Sequence, residues 1–176
     1  KVDNFTYFVK GMLVGETGKL KVIKVLKNYA IARLIELDQV SKYRTEPQCS
    51  VFKACGGCQL QHINIDGQRK FKTKRVRDCL ERIGNCHVLV NDCIMMDDPW
   101  YYRNKVQMPI GIKDGHLVTG FYKQKSNQII PCDNCLIQNK LSNAITNRVR
   151  ELMEELQIHP YDKMARQGNI KHILTK

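Results

Sequence analysis

The sequence predicts a mainly β chain with helices, an α+β architecture in which an incomplete OB-like barrel precedes a cysteine-bearing β-meander, with two longer helices. Three observations predict it. Residues 20–26 and 30–37 are β-branched, partly alternating runs joined at Asn28-Tyr29, the pattern of a hairpin. Val106, Met108, Ile110 and Ile112 alternate ahead of Asp114-Gly115, a strong two-residue turn signal. Apolar residues recur at helical spacing over 66–83 and again over 140–157.

Each element follows from local chemistry. Residues 5–9 read as part of a strand, and Gly15-Glu-Thr-Gly18 as the turn before the first hairpin. Several short strands in residues 1–43 suit a small OB-type barrel with a net basic surface. Residues 44–62 form a cysteine-rich loop. The helix over 66–83 has Asp66 as its cap, Val76, Leu80 and Ile83 on its apolar face, and Gly84 as its stop. Its first half carries Arg69, Lys70, Lys72, Lys74, Arg75 and Arg77, ordinarily a solvated face. Residues 87–90 look like a short strand, and Cys79, on the helix face with Val76, is expected in the core.

A meander follows over 101–130, with Pro109 at an edge or bulge and a second turn near Ser126-Asn127. The helix over 140–157 places Leu141, Ile145, Val149, Leu152 and Leu156 on one face and sends Glu151, Glu154 and Glu155 to solvent. The run 169–176 is strand-like again. Both ends of the chain pass through apparent structure, so it is expected to be part of a larger protein. The expected division is a barrel portion at 1–43 and a second domain at 44–176 that includes the helix at 66–83.

Composition narrows the function. The 176 residues hold 29 Lys and Arg against 17 Asp and Glu, a formal charge of +12, which points to an anionic partner, either nucleic acid or an acidic surface. An apolar fraction of 43% is enough for a real core, so disorder is not the default expectation. No run approaches the ~18 apolar residues of a membrane span, and no secretory leader is visible. Eight cysteines without a secretory leader point to reduced thiols or a metal site in a cytoplasmic protein.

The sharpest motif is Cys49-x5-Cys55-Gly-Gly-Cys58. Its glycines free the backbone and leave amide N–H groups able to point at sulfur. A soft tetrahedral centre needs a fourth thiolate. The candidates are Cys79, Cys86, Cys93, Cys132 and Cys135; Cys86 and Cys93 read as structural, and Cys132-Asp-Asn-Cys135 is well placed for a distant ligand. Structural zinc, a thioredoxin-like redox pair and an iron–sulfur cluster all compete here. The zinc reading leaves Cys49 unexplained, the redox pair lacks its βαβ context, and the cluster leads zinc modestly.

The string Cys49-Ser-Val-Phe-Lys-Ala-Cys-Gly-Gly-Cys-Gln-Leu-Gln-His62 resembles the cluster-binding stretch of the S-adenosylmethionine (SAM)-dependent RNA uracil-5 methyltransferases. The β-rich start through Leu37 is similar to the later part of their TRAM domain, an OB-like RNA-binding module. Tyr102-Arg-Asn-Lys-Val-Gln-Met-Pro-Ile-Gly111 and Gly120-Phe-Tyr-Lys123 resemble paired strands of the central domain. Cys135-Leu-Ile-Gln138 resembles the stretch supplying the fourth ligand, and 168–176 the strand before the catalytic half.

The resemblance implies a [4Fe–4S] cluster on Cys49, Cys55, Cys58 and Cys135, with Cys132 as a spare. It implies that the SAM-binding domain, the nucleophilic cysteine and the general base lie outside this chain, which alone is expected to be inactive. In such enzymes a thiolate adds to C6 of uracil, C5 takes the methyl group, and a base removes the C5 proton. The expected partner is RNA, with 23S ribosomal RNA favoured over transfer RNA; the whole protein is expected to be a monomer away from membranes. Its contacts are expected at Arg103, Lys105, Lys123, Lys125, Lys171 and His172, with Tyr101, Tyr102 and Phe121 as stacking faces. The helix at 66–83 is expected to meet the catalytic domain. A non-catalytic RNA-binding protein with a zinc-stapled OB-like module is the alternative.

Overall fold

A computed structural model describes residues 2–176, which divide into two compact units. The first unit holds the described residues 2–46 and 60–94. In it β2 (Thr17–Val25) and β3 (Tyr29–Gln39) form the expected antiparallel hairpin, and β1 (Thr6–Val9) pairs parallel to β3. The order β1-β3-β2 makes an open sheet, kinked by register shifts at Thr17/Gly18, Lys19/Leu20 and Val22/Lys24. Only small residues, Ala30 and Ala32, are fully buried along β3.

Helix α1 (Ile65–Arg82) is capped by Asn64, whose Oδ1 accepts the Gly67 N–H at 2.9 Å. Asp66 was the expected cap; it instead lies in the first turn and pairs with Arg69 at 2.7 Å. The helix stops just before Gly84, as expected. Its apolar face is largely uncovered: Val76 is 52% and Ile83 84% exposed, while Gly67 and Thr73 are the buried positions. Cys79 is exposed, contrary to its expected place in the core. The segment 87–90 forms no strand; it runs as irregular chain, and Cys93 N–H bonds to Thr73 Oγ1 at 2.8 Å.

The second unit holds residues 47–59 and 95–176. Its sheet runs β6-β5-β4-β7, from β4 (Val106–Lys113), β5 (His116–Tyr122), β6 (Ile129–Pro131) and β7 (His172–Thr175). Asp114 and Gly115 both take positive φ, as a two-residue hairpin turn requires. Pro109 sits in an internal strand, yet β5 pairs only with residues 110–113, so the missing N–H faces no ladder partner on that side.

Helix α2 (Lys140–Glu155) covers one face of this sheet, where Ile110, Ile173 and Met153 form the core with Leu117, Val149, Ile158 and Ile170 around them. The helix buries Ser142, Asn143, Thr146 and Met153. The expected apolar face is therefore turned by about one residue: Leu141 and Leu156 are each 66% exposed, and only Val149 of that stripe joins the core. Small polar residues let the first turns of α2 approach the sheet, and Asn143 adds hydrogen bonds that a leucine lacks.

Candidate metal centre

Two loops of the second unit bring the cysteines together. In the first, Cys49 O accepts Phe52 N–H at 3.1 Å and Val51 O accepts Cys55 N–H at 2.8 Å, winding the chain into tight turns. Gly56 N–H then bonds to Tyr122 O at 3.0 Å, and Cys55 bridges Lys123, so the loop is stitched to the end of β5. A Cβ on Gly56 would lie 2.6 Å from Tyr122 O, which is why glycine stands there. Gly57 N–H points at Cys55 Sγ, 3.3 Å away, as the Gly-Gly spacing predicts.

The second loop, 131–139, carries Cys132 and Cys135 and is held by α2. Asn143 grips Cys135 from both sides: its Oδ1 accepts Cys135 N–H at 3.2 Å and its Nδ2 donates to Cys135 O at 3.1 Å. Asn147 Nδ2 donates to Asp133 O at 3.0 Å, and Arg150 pairs with the Asp133 carboxylate. A cavity of about 320 Å³ opens between the loops, with Cys49, Ser50 and Val51 on one wall and Pro131, Cys132 and Asn134 on the other.

The thiols feel one another. Cys132 donates a hydrogen bond to Cys135, which holds the Cys135 thiol down to about 6 despite its burial; the Ile137 and Gln138 N–H groups and the Arg103 charge help. Cys132 is correspondingly pushed far up by that bond, by burial, and by Cys49 and Cys55. Burial raises Cys55 against the opposing Gly57 N–H, with Cys49 and Cys135 adding to the rise. Cys58, half-buried, closes the turn three residues past Cys55.

Among the described residues, no three Cys, His, Asp or Glu side chains converge tightly enough to hold a single metal ion. Around the thiols, the Gly57 N–H aimed at the Cys55 sulfur and the Arg103 charge beside Cys135 are features that suit thiolate ligands.

The expected RNA contacts fall at separate places on this unit. Lys105, Lys123, Lys125, Lys171 and His172 are exposed. Arg103 is half-buried beside Cys135, with its backbone bonded to Ile137 O and Asn139 N–H. Tyr101 carries Lys140 over its ring at 4.8 Å, Tyr102 is exposed, and Phe121 lies half-buried near Gly57. In the first unit, burial and the Arg44 charge push the His62 imidazole down. Sequence reasoning missed Asn143 and the cysteine-side position of Arg103; an asparagine reads as an ordinary polar helix residue until its partners are known.

No family model matches the chain. Whole-sequence comparison is more informative. The chain is 43% identical, over its full length, to an uncharacterized RNA methyltransferase of Clostridium acetobutylicum, and covers 39% of that protein. It is 40% identical to one from Listeria monocytogenes and 42% identical to one from Halalkalibacterium halodurans, again along all of this chain and 39% of theirs. Along its whole length the chain is thus similar to proteins named as RNA methyltransferases.

The fold agrees. The crystal structure of Pyrococcus abyssi tRNA (uracil-54, C5)-methyltransferase, in complex with S-adenosyl-L-homocysteine, superposes with a TM-score of 0.62 at 23% identity. That match covers 96% of this chain and 37% of the archaeal one. The chain thus spans about two fifths of the relatives it matches. No described helix is long and apolar enough to cross a membrane.

Proposed function

We propose that this chain is the RNA-holding, [4Fe–4S]-carrying portion of a cytoplasmic enzyme that moves a methyl group from SAM to C5 of a uridine in RNA, with 23S ribosomal RNA as the favoured substrate. The reading is supported by Cys49, Cys55 and Cys135 lying within electrostatic reach of one another, in a chain similar to RNA methyltransferases. Cys58 completes the proposed ligand set, and Cys132 serves as hydrogen-bond donor to Cys135. Residues 1–43 correspond to part of a TRAM domain, and 44–176 to the central domain.

Bound there, the cluster supplies a cross-link between the Cys49–Cys58 loop and the loop held by α2. The protein's own work is positional. Asn143, Asn147 and Arg150 fix the second loop, and Gly56 fixes the first against β5. The turn that follows β5 carries Lys123 and Lys125, so ordering the cysteines also orders cations that meet RNA phosphates. A uridine within folded RNA must be extruded before C5 is reached, at a cost of a few kcal/mol, and a rigid basic platform holds the RNA in that state. We assign the SAM site, the C6-attacking thiolate and the base to the remaining length of the relatives, and none of the eight cysteines to catalysis.

The test is metal analysis of anaerobically purified protein, with methyl transfer by the full-length protein to unmodified ribosomal and transfer RNA. Iron and sulfide in cluster proportion, with SAM-dependent 5-methyluridine formation, support the reading. Stoichiometric zinc without iron, and no SAM binding by the full-length protein, would instead establish the zinc-stapled, non-catalytic RNA-binding protein.

A further inference from the structure

The loop between α2 and β7, residues 159–171, is cross-tied by backbone hydrogen bonds. Tyr161 N–H bonds to Ile170 O at 2.8 Å, Asn169 N–H to His159 O at 3.0 Å, and Asp162 N–H to Gln167 O at 2.7 Å. Inside the tip, Asp162 Oδ1 accepts Met164 N–H at 2.7 Å and Ala165 N–H at 3.1 Å. Arg166 is held at φ 55°, a left-handed conformation that is unfavourable for a non-glycine residue and persists only where its surroundings dictate it. Lys171 stands 4.1 Å above the Tyr161 ring at the base.

This scaffold presents three side chains outward. Met164 is 92% exposed, a long apolar group with no cover, and exposed Lys163 and Arg166 stand on either side of it. The nearest carboxylate, Asp162, is engaged by the tip's own amides, and neither cation enters an ion pair with a described residue. An unbranched apolar side chain between two cations, on a cross-tied tip, is the arrangement with which proteins part stacked bases while gripping the adjoining phosphates.

We propose that this tip is an RNA-parting wedge: Met164 enters between two bases, and Lys163 and Arg166 hold the flanking phosphates. The proposal rests on the RNA-binding reading above and adds a site to it. A protein-binding knob would explain the exposed Met164 equally well, but two cations with no neighbouring free carboxylate favour a polyanion.

The experiment uses the full-length protein and a mixed-sequence hairpin RNA with a fluorescent adenine analogue at successive positions, whose emission rises when the base unstacks. Wild-type protein is expected to brighten one or two adjacent positions. Met164→Ala is expected to abolish that brightening and weaken binding roughly fivefold, with an unchanged salt dependence; Met164→Leu is expected to restore both. Lys163→Ala/Arg166→Ala is expected to lower the log–log salt slope by about 1.4, at about 0.7 per phosphate on single-stranded RNA. Wild-type binding with no difference in Met164→Ala overturns the wedge and leaves the RNA-binding reading intact. Loss of contact with another protein, and of no contact with RNA, overturns it in favour of the knob. No RNA binding by the wild type overturns both readings together.

Discussion

Arg44 clasps the buried carboxylate of Glu16, with Nε 2.5 Å from Oε1 and Nη2 2.6 Å from Oε2, across 28 positions of chain. The same carboxylate accepts Leu13 N–H at 2.7 Å and Ser41 N–H at 3.3 Å, and Arg44 Nη2 also donates to Gly11 O at 2.6 Å. One forked ion pair thus ties the turn before β2 to the chain leaving β3. The open three-stranded sheet has few large buried side chains, so this polar clasp has an unusually large share in holding its end together.

Arg44→Ala leaves the Glu16 carboxylate buried without its cation, which costs about 3 kcal/mol. The expected result is a large fall in the urea midpoint with an unchanged slope. Circular dichroism during urea titration checks this, and a loss below about 1 kcal/mol would show that the pair is decorative.

The clasp also sets an acid limit. The Arg44 hydrogen bonds, against the opposing effect of burial, hold the Glu16 carboxyl down to about 2 from the ordinary 4.5. A depressed carboxyl contributes its stability in full above the unfolded value, and loses it as pH falls from about 4.5 towards 2. Wild-type stability is therefore expected to drop across that window. Glu16→Gln, which has no proton to gain, is expected to be less stable at neutral pH and to show a shallower acid loss; equal acid slopes in the two proteins would refute the assignment.

How far the sequence could be read follows from which forces are local. The hairpin at β2 and β3, the Asp114-Gly115 turn and the cysteine spacing are written in neighbouring residues, and all stand where the pattern puts them. Neighbours do not encode what covers a helix. The stripes Val76-Leu80-Ile83 and Leu141-Ile145-Leu152 have helical periodicity, yet both face largely outward, and Cys79 goes with the first. The burial of Ser142, Asn143 and Thr146 instead follows from a close approach to the sheet and from bonds to Cys135, which only the tertiary fold reveals. Glu16 and Arg44 read as a turn residue and a loop cation for the same reason.

The proposed ligand set gives the two cysteines of the second loop different roles, and single substitutions test it. Cys135 is buried and takes N–H groups from Ile137 and Gln138, the environment of a thiolate ligand; Cys132 is the donor to it. Cys135→Ser is expected to lose most bound iron after anaerobic purification, as are Cys49→Ser, Cys55→Ser and Cys58→Ser. Cys132→Ser is expected to retain it, because a serine hydroxyl still donates. Iron and sulfide assays with visible absorption decide, and iron loss in Cys132→Ser alone would exchange the two assignments.

The uncovered face of α1 predicts association. Val76 and Ile83, with Phe71 43% exposed, form apolar surface that a lone chain leaves in water. Residues 1–176 on their own are expected to self-associate at high concentration, and Val76→Lys/Ile83→Lys to prevent it. Light scattering over a concentration series reads the mass directly, and a clean wild-type monomer throughout would show that this face needs no cover.

Lys123 and Lys125 lie in the turn between β5 and β6, and Cys55 pairs with the backbone of Lys123. Their grip on RNA should therefore depend on the cysteine loop as well as on charge. Lys123→Ala/Lys125→Ala is expected to weaken RNA binding uniformly across sequences and to lower the salt slope by about 1.4, at about 0.7 per phosphate. Removing the proposed cluster is expected to weaken binding with both lysines still in place, by letting the turn move, so that most of the salt slope survives. Filter binding over a salt series separates these effects. If removal leaves affinity unchanged while iron is demonstrably gone, the cysteine loop does not order the basic turn, and the link between cluster and RNA grip is broken.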